Sequence, residues 1–204
     1  MRCFLVTFVL LTACASTTPS LTTAPPFDKT AFLAPEGQAA VVFIQNDKQD
    51  RKAVFTVFES DMRCVAKLRG REVQVLPVEP APYIFYILGY DNTRRIEIYP
   101  EAGRTYFVRL HSVQKAVVAA IEITLVRRAT QAHRQVRSWL EGARVSNAKD
   151  NAECYGMPLD ERKNRTQRRL NEANGDWKNA DDVTRDRYML IESDGLTQAD
   201  IELF

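Results

Sequence analysis

Between Ala39 and Val126 the chain is cut into short apolar segments by turn residues, and the segments are too short and too β-branched for anything but strands. Ala39–Gln45 (AAVVFIQ) ends at Asn46-Asp47, and Ala53–Glu59 (AVFTVFE) ends at Ser60-Asp61. Arg63–Leu68 and Glu72–Leu76 flank Gly70 and predict a hairpin. Tyr83–Leu88 (YIFYIL) is apolar on both faces, which predicts a central strand covered on each side. Arg94–Tyr99 alternates, with Ile96 and Ile98 opposite Arg95 and Glu97. Pro100-Glu101-Ala102-Gly103 then supplies a turn with a glycine free to take positive φ, and Arg104–Leu110 returns with Tyr106, Val108 and Leu110 on one face. That pattern predicts a second hairpin. Val117–Val126 places Ile121, Ile123 and Leu125 inward against Glu122 and Thr124. Such a series argues for an antiparallel sandwich or barrel.

The periodicity changes after Thr130. Ala132, Val136, Trp139, Leu140 and Ala143 share one face of an amphipathic helix that ends near Gly142. After Val145 charge dominates. Pro158–Ala173 holds Arg162, Lys163, Arg165, Arg168 and Arg169 among acids, and Asn174-Gly175 reads as its stop. Asn179 with Asp182, and Thr197 with Asp200, have the spacing of helix caps. The apolar stripes here are thin, so this segment is expected to be a partly helical extension with low stability of its own. The expected layout is therefore 1–13, 14–37, a domain over 38–145 and an extension over 146–204.

The N-terminus says where the chain resides. Arg2 precedes an apolar run, Phe4–Leu11, too short to span a bilayer, and Leu11-Thr12-Ala13-Cys14 closes it with small residues. This looks like the lipobox of bacterial lipoproteins, which implies cleavage before Cys14 and acylation of that residue. Two or three acyl chains anchor stably, where one holds only marginally. Ala15–Pro35, rich in Thr, Ser and Pro, reads as an extended tether. Of the four cysteines, Cys3 would leave with the signal and Cys14 would carry lipid. Cys64 and Cys154 remain as an even pair in an oxidising compartment, a candidate disulfide. The alternative is a buried small residue and a surface thiol that never meet. The net charge of +2 gives no argument for nucleic acid.

The strands AVVFIQ (Ala40–Gln45), PYIFYIL (Pro82–Leu88) and above all IEIYPEAGRTYFVRL (Ile96–Leu110), then AAIEITLV (Ala119–Val126) and a helix, give a further reading. With the lipobox, this order resembles an uncharacterised family of bacterial lipoproteins catalogued as domain of unknown function 2846. The resemblance covers Gln38–Ala143 and implies an Ig-like β-sandwich. It brings no catalytic residues, and the charged extension lies outside it.

No motif names a reaction. His111 and His133 sit on different predicted elements without spaced metal-ligand partners. There is no G-x-S-x-G elbow and no Gly-rich phosphate loop. Glu97, Glu101 and Glu122 read as outward strand residues rather than paired carboxylates. Tyr83, Phe85, Tyr86 and Tyr90 could stack a sugar, but alternate residues of one strand cannot all face one ligand. Arg127, Arg128, Arg134 and Arg137, with Arg144, bracket the helix and could meet an anionic surface, against the plainer reading of a solvated helix face. The expectation is a non-enzymatic envelope protein without cofactor, lipid-anchored at the periplasmic face of the outer membrane, a structural or interaction module whose partner, an envelope protein or glycan, the sequence does not name. The alternative is a carbohydrate-binding module for peptidoglycan or surface glycan. A small hydrolase ranks last.

Overall fold

A computed structural model describes residues 28–46, 53–90, 92–115, 118–146, 154 and 159–204. The lipobox with Cys14, and the tether up to residue 27, lie outside the described residues. The strands are β1 (Ala39–Gln45), β2 (Val54–Glu59), β3 (Cys64–Arg69), β4 (Glu72–Val78), β5 (Tyr83–Leu88), β6 (Thr93–Ile98), β7 (Thr105–Lys115), β8 (Val118–Leu125), β9 (Arg144–Ser146) and β10 (Met189–Leu190). The helices are α1 (Gln131–Leu140), α2 (Leu159–Asn179), α3 (Asp182–Arg187) and α4 (Gln198–Glu202), with short 3-10 turns at Lys29–Phe32 and Glu192–Asp194.

The protein is mainly β. One sheet runs β8-β7-β1-β4-β9 and the other β10-β6-β5-β2-β3. Neither is purely antiparallel, as the strand spacing had suggested. β1 pairs in parallel with β7, β4 with β9, and β6 with β10. The cause lies in chain order: β7, β9 and β10 arrive late and take places beside strands laid down earlier.

Two expected hairpins are corrected. β3 pairs with β2 and β4 with β1, so the turn at Gly70 passes from one sheet to the other. β6 belongs to the second sheet and β7 to the first, so Pro100–Gly103 crosses in the same way. Gly70 and Gly103 have φ of 68° and 77°. Positive φ allows the chain to reverse but does not choose between pairing and crossing. The true hairpins join β2 to β3, β5 to β6 and β7 to β8.

Burial follows from the patterns. Every residue of β1 is buried, and β5 is the middle strand of its sheet. Val41, Phe43, Phe85 and Ile87 face the space between the sheets, where Tyr106, Val108, Ile96 and Ile98 join them. On the outer face of the first sheet, Val42, Ile44 and Phe107 meet Phe32, Val136, Trp139 and Leu140. On the outer face of the second, Tyr86 and Leu88 meet Leu170 and Ala173 of α2.

The boundary expected after Val145 does not separate two cores. Leu190 of β10 is fully buried between the sheets, and Leu196, Ile201 and Phe204 complete the outer cluster of the first sheet. Thr105 and Leu196 exchange backbone hydrogen bonds of 2.9 and 2.8 Å. These apolar residues are widely spaced in a polar sequence, so they form no periodic stripe. α2 also runs through Asn174-Gly175 instead of stopping there, because the Asn174 side chain is engaged by the sheet. Asp181, not Asn179, caps α3, its carboxylate accepting from the Thr184 N–H at 2.7 Å. Thr197 and Asp200 do form a reciprocal capping box at α4.

Candidate functional site

Most of the residues that the sequence singles out are absorbed by the fold. Phe85 is fully buried and Tyr86 is 3% exposed, whereas Tyr90 stands almost fully in solvent on the β5–β6 turn. The strand therefore offers no flat row of rings. His111 Nε2 lies 3.2 Å from Glu122 across β7 and β8. His133 caps the turn before α1, its Nδ1 accepting from the Ala129 N–H, and its ring meets Phe204. Glu97 is bound by Arg95 and Tyr99, and Glu101 by Arg104. Among the described residues no group of His, Cys, Asp or Glu is arranged to hold a metal ion.

Cys64 and Cys154 form a disulfide with a Cα–Cα distance of 6.1 Å, at opposite ends of a separation of 90 residues. The bridge is buried with Phe58, Tyr86, Leu88, Leu170 and Ala173 against the outer face of the second sheet.

The arginines do not form one set. The Arg127 guanidinium donates to Asp186 Oδ2 at 3.0 Å and to the Met189 carbonyl at 3.1 Å, and lies 3.8 Å from Asp194. Arg128 pairs with Asp200 at 3.1 Å. Burial pushes the Asp200 carboxyl up, but hydrogen bonds from Thr197 and the Arg128 charge outweigh it, and the net effect holds Asp200 below the usual range. Arg137 pairs with Glu141 one turn along α1, and Arg134 is exposed. Arg127 and Arg128 thus spend their charge on the C-terminal segment rather than on an external surface.

The structure brings together a different group. α2 lies over the second sheet and is pinned by polar contacts. Asn174 Oδ1 accepts from the Tyr86 hydroxyl and from Arg95 Nη1, both at 2.6 Å. The Arg95 guanidinium also binds Glu97 and stacks on the Trp177 ring, 4.9 Å from its centroid. Tyr99 donates to Glu97 Oε2 at 2.9 Å, and this bond, with burial, raises the Tyr99 pKa. Arg169 donates to the Gly89 and Asn92 carbonyls and to Thr93. Where α2 turns into α3, a cleft of about 70 Å³ opens beside the edge of β6. Arg94, Arg95, Asp176, Trp177, Thr184 and Tyr188 line it.

Sequence reasoning missed this group. Asn174 looked like a helix stop, and Trp177 stood alone in a polar helix. A lone Trp inside a segment with so few apolar residues was the available signal, since a ring of that size rarely lacks a docking surface.

No protein-family model matches the chain, and no curated protein matches it. No comparison supports the resemblance to the lipoprotein family, which stays an expectation from the sequence.

Proposed function

We propose that this is a lipid-anchored bacterial envelope protein that binds another envelope component and carries out no catalysis. The observation that carries the reading is the buried Cys64–Cys154 bridge. Disulfides persist in oxidising compartments, which agrees with a secretory signal at the N-terminus. Within the mature chain the bridge leaves Cys14 as the remaining cysteine, at the position where a lipoprotein would be acylated. The tether would hold the folded part off the periplasmic face of the outer membrane.

The Ig-like reading of the sandwich belongs to the same proposal. Strand order β6-β5-β2-β3 in one sheet, facing β1 beside β4, matches the order in which Ig domains place their later strands. The departure is β7, which takes the place beside β1 and runs parallel to it. No observation favours the glycan-binding alternative, because the aromatic side chains of β5 are built into the layers on either side of the sheet.

The test is the N-terminus itself. The mature protein should yield an acylated N-terminal peptide beginning at Cys14 and should fractionate with the outer membrane. Cys14→Ala should abolish the acyl mass and impair maturation. A soluble periplasmic wild type with an unmodified Cys14 would refute the reading.

A further inference from the structure

The Cys64–Cys154 bridge is closed to solvent, with Cys64 3% and Cys154 6% exposed. Thiol–disulfide exchange needs a thiolate to reach a sulfur and form a mixed disulfide with it. A sulfur packed among side chains is out of reach. The bridge therefore forms and breaks only in a state in which part of its cover has moved.

The register across the second sheet shows which part moves at least cost. Cys64 on β3 stands opposite Phe58 on β2, Phe58 opposite Tyr86 on β5, and Tyr86 opposite Arg95 on β6. Directly paired residues point the same way, so these four side chains form one row on the outer face of the sheet. Phe58 and Tyr86 are buried there, in one cluster with the bridge and with Leu170 and Ala173 of α2. α2 is pinned at the far end of the row, where Asn174 accepts from Tyr86 and from Arg95. From below, the sheet seals the bridge. Moving β3 aside would break its ladder to β2 and draw Val65, Ala66 and Leu68 out of the layer between the sheets. Undocking α2 withdraws Leu170 and Ala173 and breaks side-chain hydrogen bonds that water can replace. A region with few buried apolar contacts opens before the rest of a fold does.

We propose that α2 is a lid on the bridge: a dithiol–disulfide couple exchanges with Cys64 and Cys154 only while α2 is undocked, and docking then locks the bond. In oxidation, the thiolate of one cysteine attacks the partner's disulfide, forms a mixed disulfide and releases one partner thiolate. The second cysteine thiolate attacks the cysteine sulfur of that mixed disulfide. This closes Cys64–Cys154 and expels the partner's other thiolate. Two electrons pass to the partner, and the two thiol protons end on it. Reduction by a dithiol is the reverse. Docking of α2 thus follows oxidation as the chain matures. The inference goes beyond the anchoring reading and holds whether or not Cys14 is acylated, so its failure leaves that reading untouched.

The experiment is reduction of the folded full-length protein by excess dithiothreitol, followed by alkylation and mass spectrometry of the peptides that contain Cys64 and Cys154. Reduction should be slow and first order in dithiothreitol. Asn174→Ala should speed it about tenfold or more, because two donors lose the acceptor that pins the lid. Tyr86→Phe, which keeps the ring and removes one of those donors, should act in the same direction and less strongly, and it carries the test if Asn174→Ala does not fold. Val136→Ala, which loosens the cover of the first sheet, should leave the rate within about twofold. Three results would overturn the proposal. The first is reduction of the wild type as fast as a short-peptide disulfide, since the sulfurs would then be reachable under the docked lid. The second is a rate unchanged by either pin variant. The third is acceleration by Val136→Ala as large as that by Asn174→Ala, which would make global unfolding the route.

Discussion

The two sheets are covered on their outer faces by different means. The first sheet is covered by apolar contact: Phe32 from the N-terminal turn, Val136, Trp139 and Leu140 from α1, and Ile201 with Phe204 from the C-terminus all meet Val42, Ile44 and Phe107. The second sheet is covered by α2, whose 21 residues contribute Leu170 and Ala173 to the buried cluster. A helix with so narrow an apolar face would be marginal if it depended on area alone. It is held instead by Asn174 between Tyr86 and Arg95, by Arg95 on Trp177 and by Arg169 on the β5–β6 turn, with the Cys64–Cys154 bridge packed in the cluster beneath it. Apolar cover is non-directional and tolerates variation in detail. Polar pins require particular partners, and removing one partner leaves the other unsatisfied.

That contrast can be broken or sharpened by substitution. Phe107→Ala should have the largest effect, about 3–5 kcal/mol of stability in chemical denaturation, since Phe107 is fully buried under the apolar cover. A loss below ~1 kcal/mol would show that this cover matters less than its packing suggests. Replacing Cys64 and Cys154 by Ser should cost about 2–5 kcal/mol and act on one side only. Limited proteolysis should then open α2 while α1 and α4 stay protected. Equal protection of α2 with and without the bridge would mean that the polar pins suffice.

Asn174→Ala should cost about 1–3 kcal/mol, because the Tyr86 hydroxyl and Arg95 both lose their acceptor. A near-neutral result would move α2 towards the apolar type of cover. The smallest effect should come from Thr197→Ala at the cap of α4, about 1 kcal/mol, measured by the same denaturation. The Asp200 side of this cap predicts a pH dependence. Its folded pKa lies below the ordinary value, so its contribution is present above the unfolded pKa and lost as pH falls through the folded one. The protection factors for amide exchange at α4, corrected for the intrinsic pH dependence of exchange, should fall on acidification, and Asp200→Asn should remove that fall.

Much of this fold was legible. The strand segments, α1 with its buried Val136, Trp139 and Leu140, and the Thr197–Asp200 cap all follow from local pattern. YIFYIL announced a middle strand because both its faces are apolar. The candidate cleft was not legible. It needs Arg94 on a strand, Trp177 on a helix and Tyr188 beyond a second helix, and no local rule links residues so far apart. The arginines beside α1 misled for a related reason. Arg127 and Arg128 look like a surface pair until Asp186, Asp194 and Asp200 come back from the far end of the chain to meet them.

By itself the sequence determined which stretches would be strands, which faces they would bury and where the chain could reverse. Period-two alternation and turn chemistry act over a few residues and need no knowledge of the partner. Tertiary structure alone decided which strands pair, that the turns at Gly70 and Gly103 cross between sheets, and that the charged C-terminal segment becomes part of the body. Pairing and crossing bury the same face of a strand, so local pattern is silent between them. The C-terminal segment has no periodic stripe to read. Its place rests on isolated residues such as Leu190, Leu196 and Phe204 finding gaps that exist only once the two sheets have met.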